Sequence, residues 1–129
     1  MTDLEFGETS TRFTVWYGDT VWGEVETPLA GAFNVRNCLA AIGACEALGA
    51  DRDRVRRGLA TFRSVRRRME VRGEVDGVLV IDDFAHHPTA VVETIRAVRQ
   101  RYAGRRLTAI FEPRSYTAQR REFQEPYRH

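Results

Sequence analysis

Two carboxylates and two imidazoles fall within six positions, in the run Asp82-Asp83-Phe84-Ala85-His86-His87. A single Asp would be an ordinary helix cap, and a single His an ordinary solvated ring. Four titratable groups gathered at one turn are a candidate site. The residues before them, Val78-Leu79-Val80-Ile81, are all apolar and three are β-branched. They predict a strand buried on both faces. Pro88 follows, a residue favoured in the first turn of a helix. Val91, Ile95, Val98 and Tyr102 then recur at helical spacing. The four polar groups therefore sit between the carboxyl end of a strand and the start of a helix, where open α/β sheets bind ligands. The helix end contributes roughly half a positive charge and free N–H groups, which suits an anion.

A second candidate lies upstream. Gly31 to Gly49 reads as a helix with an apolar stripe of Cys38, Leu39, Ile42, Cys45 and Leu48, closed by Gly49. Asn34 alone would be an N-cap. Asn37, one turn on, needs another explanation: two carboxamides on adjacent turns present paired donors and acceptors, which suits the edge of an adenine base. A short helix over Asp51–Phe62 follows, with Val55, Leu59 and Phe62 inward. Arg63, Arg66, Arg67, Arg68 and Arg72 then form a basic cluster. Such a cluster can bind phosphate backbones. The interleaved Glu70 and Glu74, and the lack of nearby aromatic residues for stacking, favour a solvated surface at a domain junction.

The remaining elements must position these groups. Residues 1–10 read as frayed and polar. Phe13, Val15 and Tyr17 alternate with polar positions, Gly18-Asp19 marks a turn, and Val21 to Glu26 alternates again. That is a hairpin with one covered face, ended by Pro28. Gly104 closes the helix that follows Pro88, and beyond it Leu107 to Phe111 predicts a second buried strand. Together these make a right-handed β-α-β unit with parallel strands. Arg114 and Ser115 follow that strand, beside the first site. A two-stranded parallel sheet is an incomplete layer, so the chain is expected to stop partway through a fold.

Composition narrows the classes. A hydrophobic fraction of 43%, a charged fraction of 29% and a net charge of +2 are those of a soluble globular protein. No apolar run approaches the roughly 18 residues of a membrane span, and the first ten residues do not read as a signal peptide. Cys38 and Cys45 lie about 10 Å apart along one helix, too far for a disulfide, as expected of a cytoplasmic protein. All 20 basic residues are Arg, so this chain supplies no phosphate-loop Lys.

Three motifs in order, Gly31-Ala32-Phe33-Asn34 with Asn37, Arg68-Met69-Glu70, and Asp82-Asp83-Phe84-Ala85-His86-His87-Pro88, resemble signatures of the Mur ligases. These ATP-dependent enzymes add amino acids or peptides to UDP-N-acetylmuramate in making peptidoglycan. The resemblance implies an α/β chain in two parts. Residues 1–66 would be the tail of a central ATPase domain, hairpin plus helices. Residues 67–129 would begin an incomplete Rossmann-like β-α-β C-terminal domain. Within the family, Phe84 and Glu112-Pro113-Arg114-Ser115 resemble the branch that joins L-alanyl-γ-D-glutamyl-meso-diaminopimelate to UDP-N-acetylmuramate, with the branch that adds a single L-alanine as the alternative.

The resemblance also implies roles. Asn34 and Asn37 would meet adenine, Asp83 the ribose hydroxyls, and Arg68 the ATP phosphates. His86 and His87 would face the acyl phosphate and the incoming amine, and Arg114 and Ser115 the substrate. Phe33 stands where the family usually has His. ATP and Mg²⁺ are the implied cofactors, with no resident metal site, no nucleic acid and no membrane as partner. The family's phosphate loop and UDP-sugar domain are not in this sequence, so the chain alone is expected to be inactive. A non-catalytic polyanion-binding module using the Arg cluster is the reading from a different class.

Overall fold

The computed structural model describes residues 1–113, 116, 118–123 and 125–127, with only the backbone of Phe123. Strands β1 (Thr2–Phe6), β2 (Thr11–Tyr17) and β3 (Thr20–Thr27) form an antiparallel sheet in that order. The expected hairpin is β2–β3, and Gly18 at φ 59° makes its turn. Residues 2–6 are not frayed: β1 pairs along β2, matching Glu5 with Arg12 and Phe6 with Thr11. Cross-strand partners hold this polar segment, and such partners are not visible in its own composition. A register shift between Val15 and Trp16 breaks the alternation, so Phe13 and Val15 are buried and Tyr17 is exposed.

Helices α1 (Ala32–Ala47) and α2 (Arg52–Ala60) cover the inner face of this sheet. The core is Phe13, Val15, Trp22 and Val25 from the strands against Val35, Cys38 and Ile42 from α1, with Val55 and Leu59 of α2 at its margin. Gly31, not Asn34, is the N-cap of α1. At the other end, Gly49 N–H donates to Glu46 O at 3.0 Å and Ala50 N–H to Cys45 O at 2.9 Å. That paired closure leaves Gly49 left-handed, at φ 70°. Leu48 and Phe62, expected inward, are exposed because each lies just past the end of its helix. Asp51 caps α2 by accepting from Arg54 N–H at 2.8 Å. Both cysteines are free.

The second half departs further from expectation. Strand β5 (Val78–Asp82) pairs antiparallel with β4 (Glu70–Val75), a strand hidden within the charged run. It is not buried on both faces: Val78 is 62% and Val80 51% exposed. Helix α3 (Pro88–Arg101) begins at Pro88 as expected. Leu107–Phe111 joins no strand ladder, so the parallel pairing of a β-α-β unit does not form here. It lies instead across a groove of about 770 Å³ lined by β5, by Val91, Ile95, Val98 and Tyr102 of α3, and by residues 107–111. The sequence stripe of α3 thus faces this groove. Glu93, Ala97 and Arg101, on another face of α3, meet the first half.

Candidate functional site

The Asp82–His87 turn is built by its own hydrogen bonds. One oxygen of Asp83 accepts Ala85 N–H at 2.7 Å and the Thr94 hydroxyl at 3.4 Å; the other accepts Met69 N–H at 2.8 Å. Asp83 therefore ties the turn to α3 and to the chain before β4. A carboxylate has about four lone-pair sites, so it retains capacity for one further donor. Phe84 N–H donates to Arg67 O at 2.8 Å. The Arg67 guanidinium stands 4.8 Å from the Phe84 ring centroid and 3.7 Å from Asp82.

His86 is exposed, with Nδ1 2.9 Å from Phe84 O and its ring edge-on to Phe84 at 5.0 Å. A carbonyl only accepts, so this bond requires the proton on Nδ1 and leaves Nε2 of the neutral ring as an acceptor. The Tyr127 hydroxyl donates to His86 O. His87, also exposed, is the N-cap residue of α3, and no side-chain cap bond is made there.

Asn34 and Asn37 share one face of α1. Asn34 Nδ2 donates to Ala30 O at 2.8 Å, and Asn37 Nδ2 donates to Asn34 Oδ1 at 3.3 Å. One Asn34 N–H and one Oδ1 lone pair are thereby engaged in the fold. Asn37, exposed, keeps its Oδ1 and one N–H, an acceptor and a donor side by side as an adenine edge needs. Phe33 is half-buried and packs against Gly31.

Three contacts set this end of α1 against α3. Arg36 lies 3.6 Å from Glu93, and Arg101 donates to Pro28 O at 2.8 Å. A Cβ on Gly31 would stand 2.6 Å from the Ala97 methyl. The carboxamides and the Asp82–His87 turn are thus carried on two elements in direct contact. Arg68 is exposed, one residue before the Met69 N–H that Asp83 holds. Arg114 and Ser115 lie outside the described residues. Among the described residues no three His, Cys, Asp or Glu side chains converge as a metal site would require, and no helix is long and apolar enough to cross a membrane.

Residues 67–126 match the family described as Mur ligase, glutamate ligase domain. Over that stretch the chain is similar to the Mur ligase family. The similarity continues upstream. The UDP-N-acetylmuramate–L-alanine ligase of Salinibacter ruber is 44% identical over 108 residues, 84% of this chain and 23% of that protein. Among solved structures, the UDP-N-acetylmuramate–alanine ligase of Thermotoga maritima superposes with a TM-score of 0.72 at 26% identity, over 77% of this chain and 24% of that one. A murein peptide ligase from Psychrobacter arcticus gives a TM-score of 0.54 at 40% identity, over 81% of this chain and 22% of that one. The chain spans about a quarter of the length of the Mur ligases it matches.

Sequence reasoning passed over Thr94 and Tyr127, and it gave Arg67 and Glu70 no role of their own although it named both, in the basic cluster and in the Arg68-Met69-Glu70 motif. Thr94 carried a weak signal: it lies two turns into a helix on the side facing Asp83. Arg67 and Glu70 were hidden in a run where every second residue is charged.

Proposed function

We propose that this chain is part of an ATP-dependent ligase that joins L-alanine to UDP-N-acetylmuramate. The observation that carries this reading is the shared name of the curated relatives. Eight of them, 36–44% identical over 84–91% of the chain, are UDP-N-acetylmuramate–L-alanine ligases. They favour single L-alanine over the tripeptide that Phe84 and the Glu112–Ser115 run suggested. The 40% identity to a murein peptide ligase keeps the tripeptide as the second reading.

In this reading, residues 1–66 end a central nucleotide domain and residues 67–129 begin the C-terminal one. Asn37, positioned by Asn34, meets the adenine edge, and the remaining lone pair of Asp83 takes a ribose hydroxyl. A muramoyl carboxylate oxygen attacks the γ-phosphorus of ATP and ADP leaves. The alanine nitrogen then attacks the acyl carbon, phosphate departs, and the amine loses a proton. Arg68 stabilises charge on the transferring phosphoryl group. Nε2 of the exposed His86 ring accepts the proton, with His87, Arg114 and Ser115 on the acceptor side. Mg²⁺, when bound with the nucleotide, would supply shielding of the phosphate charge. It needs only one or two carboxylates when carried on the nucleotide, which is compatible with a chain that builds no metal cage among its described residues. The cradle for the β- and γ-phosphates must come from another part of a longer protein, so this chain alone is inactive.

The polyanion-binding reading loses support from the ion pairs: Arg67 with Asp82, Arg72 with Glu70, and Arg105 with Glu74. Arg67 and Arg72 are two of the five Arg of the basic cluster, and Arg105 lies outside it.

The test is a graft. This chain replaces its counterpart in the Salinibacter L-alanine ligase and, separately, in the Psychrobacter murein peptide ligase. L-alanine-dependent ADP release should persist in the first host and fall at least tenfold in the second with tripeptide. The reverse pattern would move the chain to the tripeptide branch. Turnover by the ungrafted chain would overturn the claim that it is inactive alone.

A further inference from the structure

The three residues around Arg68 have an unusual backbone. Arg67 and Met69 both lie in the left-handed region, at φ 59° and 48°. Neither is Gly or Asn, the residues that adopt this region readily, so the surroundings must hold the turn. Glu70 Oε2 accepts the Arg67 N–H at 3.0 Å, and Asp83 Oδ2 accepts the Met69 N–H at 2.8 Å. The Arg67 carbonyl accepts Phe84 N–H at 2.8 Å, and the Ser64 hydroxyl donates to Arg68 O at 3.3 Å. The peptide groups of 67–69 are therefore gripped from both flanks, with a carboxylate on each side.

The carboxylates are themselves arranged for this. Glu70 sits directly across the ladder from Asp82, a like-charge pair that is unfavourable by itself. Arg67 lies between them, giving its N–H to Glu70 and holding its guanidinium 3.7 Å from Asp82. Arg72, 2.9 Å from Glu70, completes the neutralisation.

We propose that Glu70 and Asp83 are positioning residues for Arg68: they hold residues 67–69 in a left-handed turn that directs the Arg68 side chain outward from the junction. The phosphate-directed purpose rests on the ligase reading above; the hold on the turn does not. Asp83 then serves two ends with one carboxylate, and Glu70, which no substrate contact requires, serves only this one.

Two measurements test it. In the full 129-residue chain, amide exchange followed by NMR should accelerate at least tenfold at Met69 in Asp83→Ala and at Arg67 in Glu70→Ala, with α1 amides unchanged. Unaltered exchange and unaltered backbone shifts at 67–69 in both variants would overturn the hold. In the Salinibacter graft, Glu70→Ala should lower kcat at least tenfold with the KM for ATP within twofold, and Glu70→Gln, which keeps an acceptor oxygen, should retain most of kcat. A lowered melting temperature with unchanged kcat would reduce Glu70 to a purely stabilising residue. A parent graft without turnover would overturn the ligase reading and the phosphate-directed purpose together, while the exchange result would still decide whether the carboxylates hold the turn.

Discussion

Asp83 shows how much one side chain can be asked to do. Three donors already converge on it, from Met69, Ala85 and Thr94. In Asp83→Asn one oxygen becomes an NH₂ group that must face a peptide N–H. A peptide donor deprived of its acceptor costs about 1–3 kcal/mol. The variant should therefore melt at a lower temperature, and in the active graft its KM for ATP should rise at least tenfold. An unchanged melting temperature would show that the Asp83 bonds are dispensable. The sequence made Asp83 conspicuous through its neighbours, but its partners are 14 residues before and 11 after it. Long-range partners of this kind leave no local mark. Asn34 illustrates the reverse: its residue type suggested a cap or a ligand contact, and its amide instead closes on Ala30 O and supports Asn37.

At the scale of elements, alternation read the β2–β3 hairpin correctly because one face packs on α1 and the other meets solvent. The same logic failed for β4, where Glu70, Arg72 and Glu74 alternate with Val71, Gly73 and Val75 but the ribbon is largely exposed on both faces, so no covered face marks the strand. It also failed for Leu107–Phe111, since a strand exists only where a neighbour accepts its hydrogen bonds. Two joints between elements make separate predictions. Gly31 has φ 87° and ψ 146°, and a Cβ there would meet Ala97 at 2.6 Å. Such a conformation is close to Gly-only and overpacking adds to the strain, so Gly31→Ala should destabilise the chain by at least about 2 kcal/mol in denaturant unfolding.

The other joint is Glu46, which accepts from Trp22 at 2.7 Å and pairs with Arg52, linking β3, α1 and the start of α2. Arg52 first, then Trp22, hold the Glu46 carboxyl below its usual range. A group with a lowered folded pKa stabilises above its unfolded value and loses that contribution as pH falls through the folded one. Stability should thus decline as pH drops below about 4.5, the ordinary value, and Glu46→Gln should flatten part of that decline in thermal melts.

Across the whole molecule, one well-packed sheet-and-helix layer carries a thinner second part. The first half has a continuous core; the second presents a two-stranded ribbon and a groove with Val78, Val80 and Ile110 exposed, the last at 96%. Two strands alone are marginal, and contiguous apolar surface promotes association. Sedimentation should show self-association that grows with concentration and is reduced by Ile110→Asp; a strictly monomeric chain at all concentrations would contradict this. What joins the halves is the contact of α3 with residues 28–36, which also brings the two candidate nucleotide elements together.

That juxtaposition is most directly tested by titrating the isotope-labelled chain with Mg-ATP, following amide and side-chain shifts by NMR. Weak binding is sufficient for this readout. The account predicts shifts centred on Asn34, Asn37, Asp83 and His86, little affected by moderate salt and not reproduced by inorganic triphosphate. Shifts confined to Arg63–Arg72, equal for ATP and triphosphate and abolished by salt, would contradict it and favour a basic surface that binds any polyanion.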